Sequence, residues 1–401
     1  MSLAACTAAA ALLQLDGTVI TVALPDVAHT LHVSSSSTAI LLSAYFVAYA
    51  ILLFPGGRLV DRLGARRIAL CGLLVFAVGA ALGAVVSSFA LLALTRALQG
   101  VGAGLVSPAA LAGAVAGFPP ERRGGALGIW GASAGMANIV GPLLGGVLTV
   151  AFGWRGAWWA LVPLGLAAAA GVAINVPHLV HEPPEDGPGR ILNRRVVCAA
   201  LVAGITFAVM IGCFYLAEQY LQREVGYSAL GASAVLVIVA LFVGFGAPVA
   251  GILVDRRGEA LPTVIGFLGA ALGLAIVAIP GVSLHGIGTA FALIPLGLGL
   301  GLLFVPVSRA ALNSVPDAVH GRVSATLSAA RLFGSAIGAG LAGIALAGGL
   351  STSTMHLALA IGAAVCLLAG VPLGIQLGGG DGRSGVASRP GRHESPSGEP
   401  I

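Results

Sequence analysis

The stretch GRLVDRLG, Gly57 to Gly64, recurs as GILVDRRG, Gly251 to Gly258, 194 residues further along the chain. Each copy reads as a short charged loop between two apolar runs. The repetition reaches outward from this loop. GVGAG at Gly100 returns as GLGLG at Gly297, an offset of 197, and Gly124 and Gly141 map onto Gly321 and Gly338 at the same offset. Internal symmetry of this kind marks a unit of nearly half the chain used twice.

Composition says what the unit is made of. Of 401 residues, 58% are hydrophobic and 9% charged, and the mean hydropathy is +1.01. A soluble domain carries roughly 25% charged residues. This chain cannot cover itself with polar surface, so lipid is its solvent. The 60 glycines suit helices that approach one another closely in a bilayer. The five cysteines, none in C-x-x-C spacing, read as small apolar filler.

A membrane helix takes about 20 apolar residues. Twelve such runs can be marked: 3–24, 38–56, 68–86, 89–115, 125–150, 157–177, 196–217, 229–253, 262–280, 286–308, 323–349 and 356–377. The polar, Pro-rich stretch 178–195 interrupts them near the midpoint, and 378–401 is rich in Gly, Ser and Pro. The expected organisation is an N-terminal six-helix bundle (1–177), a cytoplasmic linker (178–195), a C-terminal six-helix bundle (196–377) and a disordered cytoplasmic tail (378–401). The fold class is therefore an all-α integral membrane protein, with twelve transmembrane helices in two pseudo-symmetric bundles. Two halves of six spans share one orientation, which relates them by an axis along the membrane normal.

All 20 basic residues are arginine, which we read as the codon bias of a GC-rich, bacterial genome. One set of connections, with the tail, holds 16 of them; the opposite set holds Arg155 and Arg223, and Arg96 and Arg331 lie within spans. By the positive-inside rule both termini are cytoplasmic and the protein is multi-pass in the cell membrane. The sequence pI near 9.3 reflects this asymmetry, so no nucleic-acid partner is expected.

Five stretches carry a family resemblance: LDGTVITVALP (Leu15 to Pro25), GGRLVDRLGARR (Gly56 to Arg67), LTRALQGVGAG (Leu94 to Gly104), GMANIVGPLLGG (Gly135 to Gly146) and FYLAEQYLQREVGYSALGA (Phe214 to Ala232). In order and at the right spans, they make the chain resemble the major facilitator superfamily over nearly all of residues 1–377, and specifically its drug:proton antiporters. The resemblance implies the major facilitator fold, with the substrate site between the halves near the midplane. It implies export of a small amphipathic or hydrophobic compound, a drug or secondary metabolite, by alternating access. A proton gradient supplies the energy, and there is no cofactor. The expected partners are the substrate, protons and lipid, with a monomer as the working unit. Relatives closest in wording carry fourteen spans, but 178–195 is too short for an extra pair. Thr21 stands where relatives often have Asn, and Leu161 replaces an Asn after Trp154–Arg155.

Asp16 is the only acid deep within a span. Such a residue costs about 2.5–3.5 kcal/mol on insertion scales and usually faces a pathway. It is either held by backbone partners at a helix break or serves as a protonation site. Arg96 is the natural partner. Counted from the outer ends of helices 1 and 4, both residues sit roughly 12–14 Å deep. Gln99 shares the face of Arg96. The resemblance implies that this Arg assists proton coupling. In the signature loop, Gly57, Asp61, Arg62, Gly64 and Arg66 are implied to form a conformational latch, repeated more weakly by Asp255 and Arg256. The alternative is a charged loop that only sets topology.

In the antiporter-type helix, Gly131, Gly135, Gly141 and Gly145 form two GxxxG pairs, followed by Gly146. Pro142 frees the carbonyl near Asn138 and kinks the helix. The twofold layout predicts helix 8 of the other half as the close neighbour. Arg331 either snorkels to the cytoplasmic face or lines the cavity. Glu218 either attracts cationic substrates or ends a solvated helix. Tyr45, Tyr49, Trp130, Asn138 and Tyr215 are candidate lining residues or plain packing.

The GVGAG runs lack the preceding strand and full spacing of a dinucleotide site. The sequence shows no catalytic set and no metal cluster, so no enzyme is expected. Two rival readings share the observations: a proton symporter importing a small nutrient, and a non-transporting membrane sensor.

Overall fold

The computed structural model describes residues 1–33, 37–177, 192–223, 226, 229–279, 287–347 and 352–378. Residues 178–191 of the central linker and the tail beyond 378 fall outside the described residues. Those residues form helices and no strand. In lipid a backbone must satisfy its own polar groups, and the helix does so within one segment.

The first half holds α1 (Ser2–Thr30), α2 (Ala39–Leu63), α3 (Ala65–Val85), α4 (Phe89–Val115), α5 (Arg123–Phe152) and α6 (Trp154–Asn175). The second holds α7 (Arg194–Arg223), α8 (Ala229–Arg257), α9 (Ala260–Ala278), α10 (Ile287–Leu312) and α11 (His320–Ala347). It ends with α12 (Thr352–Val365), which runs through a π-helical turn (Cys366–Gly370) into α13 (Val371–Gly378). Two expected boundaries move. α1 continues six residues past the predicted end, and α7 begins inside the predicted linker, at Arg194.

Among the described residues, ten helices are long and apolar enough to cross a membrane by length and composition. The described residues of α5 add the shorter apolar stretch Leu143–Phe152. α5 and α11 are rich in Gly, Ala and Ser, and both pack against the opposite half.

Two apolar cores organise the rods. One runs from Ala5 to Val176; the other runs from Val196 to Leu377 and takes in Leu111, Val115 and Leu127 of the first half. Large apolar side chains such as Ile51, Leu94, Val147, Phe245 and Leu341 stand exposed on the outside. That surface is what a lipid-facing bundle presents.

The repeated loop repeats its backbone. Gly64 (φ 85°) ends α2 and Gly258 (φ 75°) follows α8, so both tight turns use the left-handed conformation glycine permits.

Candidate functional site

Asp16 on α1 meets Arg96 on α4. Arg96 Nη1 donates to Asp16 Oδ1 at 2.8 Å and Oδ2 at 3.0 Å, and to Gln99 Oε1 at 3.0 Å. Gln99 Nε2 donates to Asp16 Oδ1 at 3.4 Å. All three side chains are fully buried. The Arg96 guanidinium lies 4.5 Å from the centroid of the Tyr45 ring on α2. Tyr49 follows one turn on, with its ring 5.8 Å from that of Tyr45.

The glycines of the fourth-helix motif explain why α2 can come so close. A Cβ on Gly100 would sit 3.0 Å from Ala48 Cβ, and one on Gly104 would sit 2.8 Å from Tyr49 O. Thr21 is spent locally, donating to Gly17 O at 2.7 Å.

A second polar cluster lies between the halves. Arg331 Nη2 on α11 donates to Ser308 Oγ on α10 at 2.9 Å. Its guanidinium stands 5.3 Å from the ring of Trp130 on α5 and 5.8 Å from Phe207 on α7. Arg331 thus lies half-buried in the seam between the halves. Ser107 and Ser328 share a hydrogen bond of 3.0 Å between α4 and α11, so the two halves touch here through polar groups.

The arginine-rich end is closed by crossed contacts. Asp61 accepts from the Gly321 N–H at 2.7 Å and from Arg322 Nε at 2.7 Å. Asp255 accepts from the N–H groups of Gly124 at 3.1 Å and Gly125 at 3.0 Å. Each aspartate thus sits at the N-terminus of a helix of the other half, where free N–H groups and the helix dipole favour an anion. The loop glycines permit the approach: a Cβ on Gly57 would lie 2.6 Å from Gly321 O, and one on Gly251 would lie 2.6 Å from Gly124 O.

Not every residue of the signature loop joins in. Arg62 and Arg256 are exposed. Arg66 donates to Ala173 O at the end of α6, within its own half.

Other residues at this end escaped the sequence reading. Arg123 bonds Asn313 Oδ1 at 3.0 Å and Asp317 Oδ1 at 3.0 Å. Arg309 bonds Glu259 Oε1 at 3.1 Å and Val254 O at 3.0 Å, and lies 3.8 Å from Asp255. The available signal was the mapping of Gly124 onto Gly321, which makes the two receiving helix ends equivalents under the repeat. Asp26 was also missed. It accepts from the Trp154 N–H at 2.7 Å and so caps α6.

The expected neighbour of the GxxxG helix needs correction. Gly128 and Gly131 do pack on α8: a Cβ on Gly128 would lie 3.1 Å from Ala247 O, and one on Gly131 would lie 3.1 Å from Ala247 Cβ. Gly141 and Gly145 pack instead on α1, with a Cβ on Gly145 reaching 2.8 Å from Val19 O. Ten residues separate the centres of the two pairs, which turns them about 80° apart around the helix. One stripe therefore could not serve one neighbour. Gly146 faces open space. The surroundings of Gly135 and the side chains of Asn138, Pro142, Tyr215 and Glu218 fall outside the described residues, and no cluster of three or more His, Cys, Asp or Glu that could hold a metal occurs among those described.

Known proteins similar to this chain share its helical fold. Residues 6–339 match the family profile described as Major Facilitator Superfamily. An uncharacterised MFS-type transporter of Mycobacterium tuberculosis is 41% identical over 43% of this chain, a segment that spans only 30% of that protein. The puromycin resistance protein of Streptomyces alboniger is 30% identical over 83% of this chain and 79% of its own length. Among solved structures, the fucose:proton symporter of Escherichia coli matches with a TM-score of 0.74 at 16% identity, covering 94% of this chain and 98% of that one.

Proposed function

The chain belongs to the major facilitator superfamily, and we propose that it is a proton-coupled exporter of a small amphipathic or hydrophobic compound, a drug or secondary metabolite, working by alternating access. The observation that carries the reading is the fully buried Asp16–Arg96–Gln99 cluster. A carboxylate this deep in a bilayer protein is retained for a purpose. When Asp16 takes a proton, its charge is lost and Arg96 is released from its partner. When the proton leaves, the pair re-forms. That exchange gives the first half two electrostatic states, which is what coupling a proton to a conformational step requires.

The crossed contacts at the other end supply the matching gate. Asp61, Asp255 and Arg123 hold α11, α5 and the Asp317 turn together across the halves. With them made, the arginine-rich end is shut; with them broken, it opens. We place that end in the cytoplasm from the arginine asymmetry. A relative named for puromycin resistance supports export as the direction. Substrate and protons are the partners, the gradient replaces any cofactor, and one chain contains both halves of the site.

The test uses inverted membrane vesicles carrying a pH-sensitive dye. Addition of substrate to vesicles with wild-type protein should discharge the proton gradient, and Asp16→Asn should abolish the response. If the variant exchanges substrate for protons as fast as wild type, Asp16 is not the coupling group. If wild type moves substrate only into cells, down the proton gradient, the protein is an importer.

A further inference from the structure

Arg331 is a cation in the interior of a membrane protein, and its surroundings do not neutralise it. Among the described residues no carboxylate lies within ion-pair distance of it. Asp16 already belongs to Arg96. A guanidinium has five N–H donors; its described hydrogen-bond acceptor is Ser308 Oγ at 2.9 Å, and the Tyr49 phenol lies near enough to interact with its charge. Beside it, the indole Nε1–H of Trp130 is buried and has no partner among the described residues. Donors therefore exceed acceptors on this side of the interface.

The walls of the same place are flat. Trp130 and Phe207 flank the guanidinium at 5.3 and 5.8 Å, and Phe304 lies 5.5 Å from Phe207. The rings come from α5 of one half and from α7 and α10 of the other, so the cluster straddles the path between them. A buried indole donor without an acceptor and a cation without a counter-ion are both completed by one chemistry, an ionised oxygen on a planar ring system. The carboxylate or phenolate takes the fork of the guanidinium and the indole N–H, and the ring stacks among the aromatic side chains.

We infer that Arg331 and Trp130 form the anion end of the substrate site, and that the compounds carried are planar aromatic acids rather than cations. This rests on the export reading for its purpose, but its test does not use flux. Purified protein in detergent, without any proton gradient, is titrated with three naphthalene probes: 1-hydroxy-2-naphthoate, its neutral methyl ester, and a naphthyl trimethylammonium cation.

Wild type should bind the acid about tenfold or more tightly than the ester, the span of one charge-assisted hydrogen bond. The cation should bind more weakly than either. Arg331→Gln should bring acid and ester to equal affinity and leave the ester unchanged. Arg331→Lys, which keeps the charge but not the fork, should retain part of the preference. Trp130→Phe, which keeps a ring but not the donor, should weaken the acid alone. The proposal is overturned if wild type prefers the cation, binds none of the probes, or if Arg331→Gln keeps the acid-to-ester ratio. Failure of the dye assay with Asp16→Asn would count against proton coupling while leaving this ratio intact, so the two failures are distinguishable.

Discussion

Arg96 and Arg331 are the same side chain in two different electrical situations. Both lie inside the bundle, and both rest on an aromatic ring, Tyr45 at 4.5 Å and Trp130 at 5.3 Å. Arg96 has a carboxylate at 2.8 Å and a glutamine at 3.0 Å; Arg331 has a serine hydroxyl. The first is an ion pair, a circuit closed for charge but not for every donor, since Arg96 Nε and Nη2 have no partner among the described residues. The second has no described counter-ion and, on the proposal above, takes its acceptor from the substrate. Joined to the proposed proton coupling, this would put proton handling in the first half and substrate charge recognition in the second.

Stability separates the two most sharply. Removing one partner of a buried pair leaves an uncompensated charge and costs about 3–5 kcal/mol. Asp16→Ala should therefore lower the thermal midpoint of the purified protein substantially. The double variant Asp16→Asn with Arg96→Gln should recover most of that loss while still failing to move protons. Arg331→Gln breaks no pair, so its midpoint should stay near wild type. A large loss of stability in Arg331→Gln would break the comparison, since it would reveal a structural counter-ion.

A packing change should act on the first circuit from a distance. Gly145 lies against Val19, three residues from Asp16 on α1. Gly145→Leu drives a side chain into that backbone, an overpacking of about 1–3 kcal/mol, and pushes α1 away from α4. Gly146, its neighbour, has nothing within 4 Å. Flux should fall several-fold in Gly145→Leu and hold in Gly146→Leu, with both variants inserted to wild-type level. Equal flux in the two would mean that this seam does not position Asp16.

Much of this was legible in the sequence because membranes make a few signals strong. Apolar runs gave the helices, and a loop occurring twice gave the repeat. Asp16 and Arg96 could be matched by depth alone, since rise per residue converts a count into a position along the membrane normal. Depth says nothing about azimuth, so it could not show that the glycine stripe of α5 meets a different neighbour, α1, over its C-terminal half. Charge counts also hid structure. Arg123, Arg309 and Arg322 read as topology signals, and only the fold reveals that they hold Asp317, Glu259 and Asp61. Arg331 stayed undecided for the same reason, since a position nine residues into a helix fits either end of its side chain's reach.

In the repeated loop the same sequence device is used with unequal charge. Asp61 joins a guanidinium at 2.7 Å and one backbone N–H at 2.7 Å, and its side chain is 9% exposed. Asp255 joins two backbone N–H groups at 3.0 and 3.1 Å, with Arg309 at 3.8 Å, and is 27% exposed. Water competes more for the second, and its charged partner is further away. Asp61→Asn should thus slow substrate exchange about tenfold, the span of one charged hydrogen bond, and Asp255→Asn only about twofold. Because Asp61 and Arg322 act as a pair, Asp61→Asn with Arg322→Gln should cost no more than Asp61→Asn alone. If Asp255→Asn proves the more damaging, the gate is held chiefly by helix N-termini and not by the ion pair, and the two loops differ in sequence without differing in work.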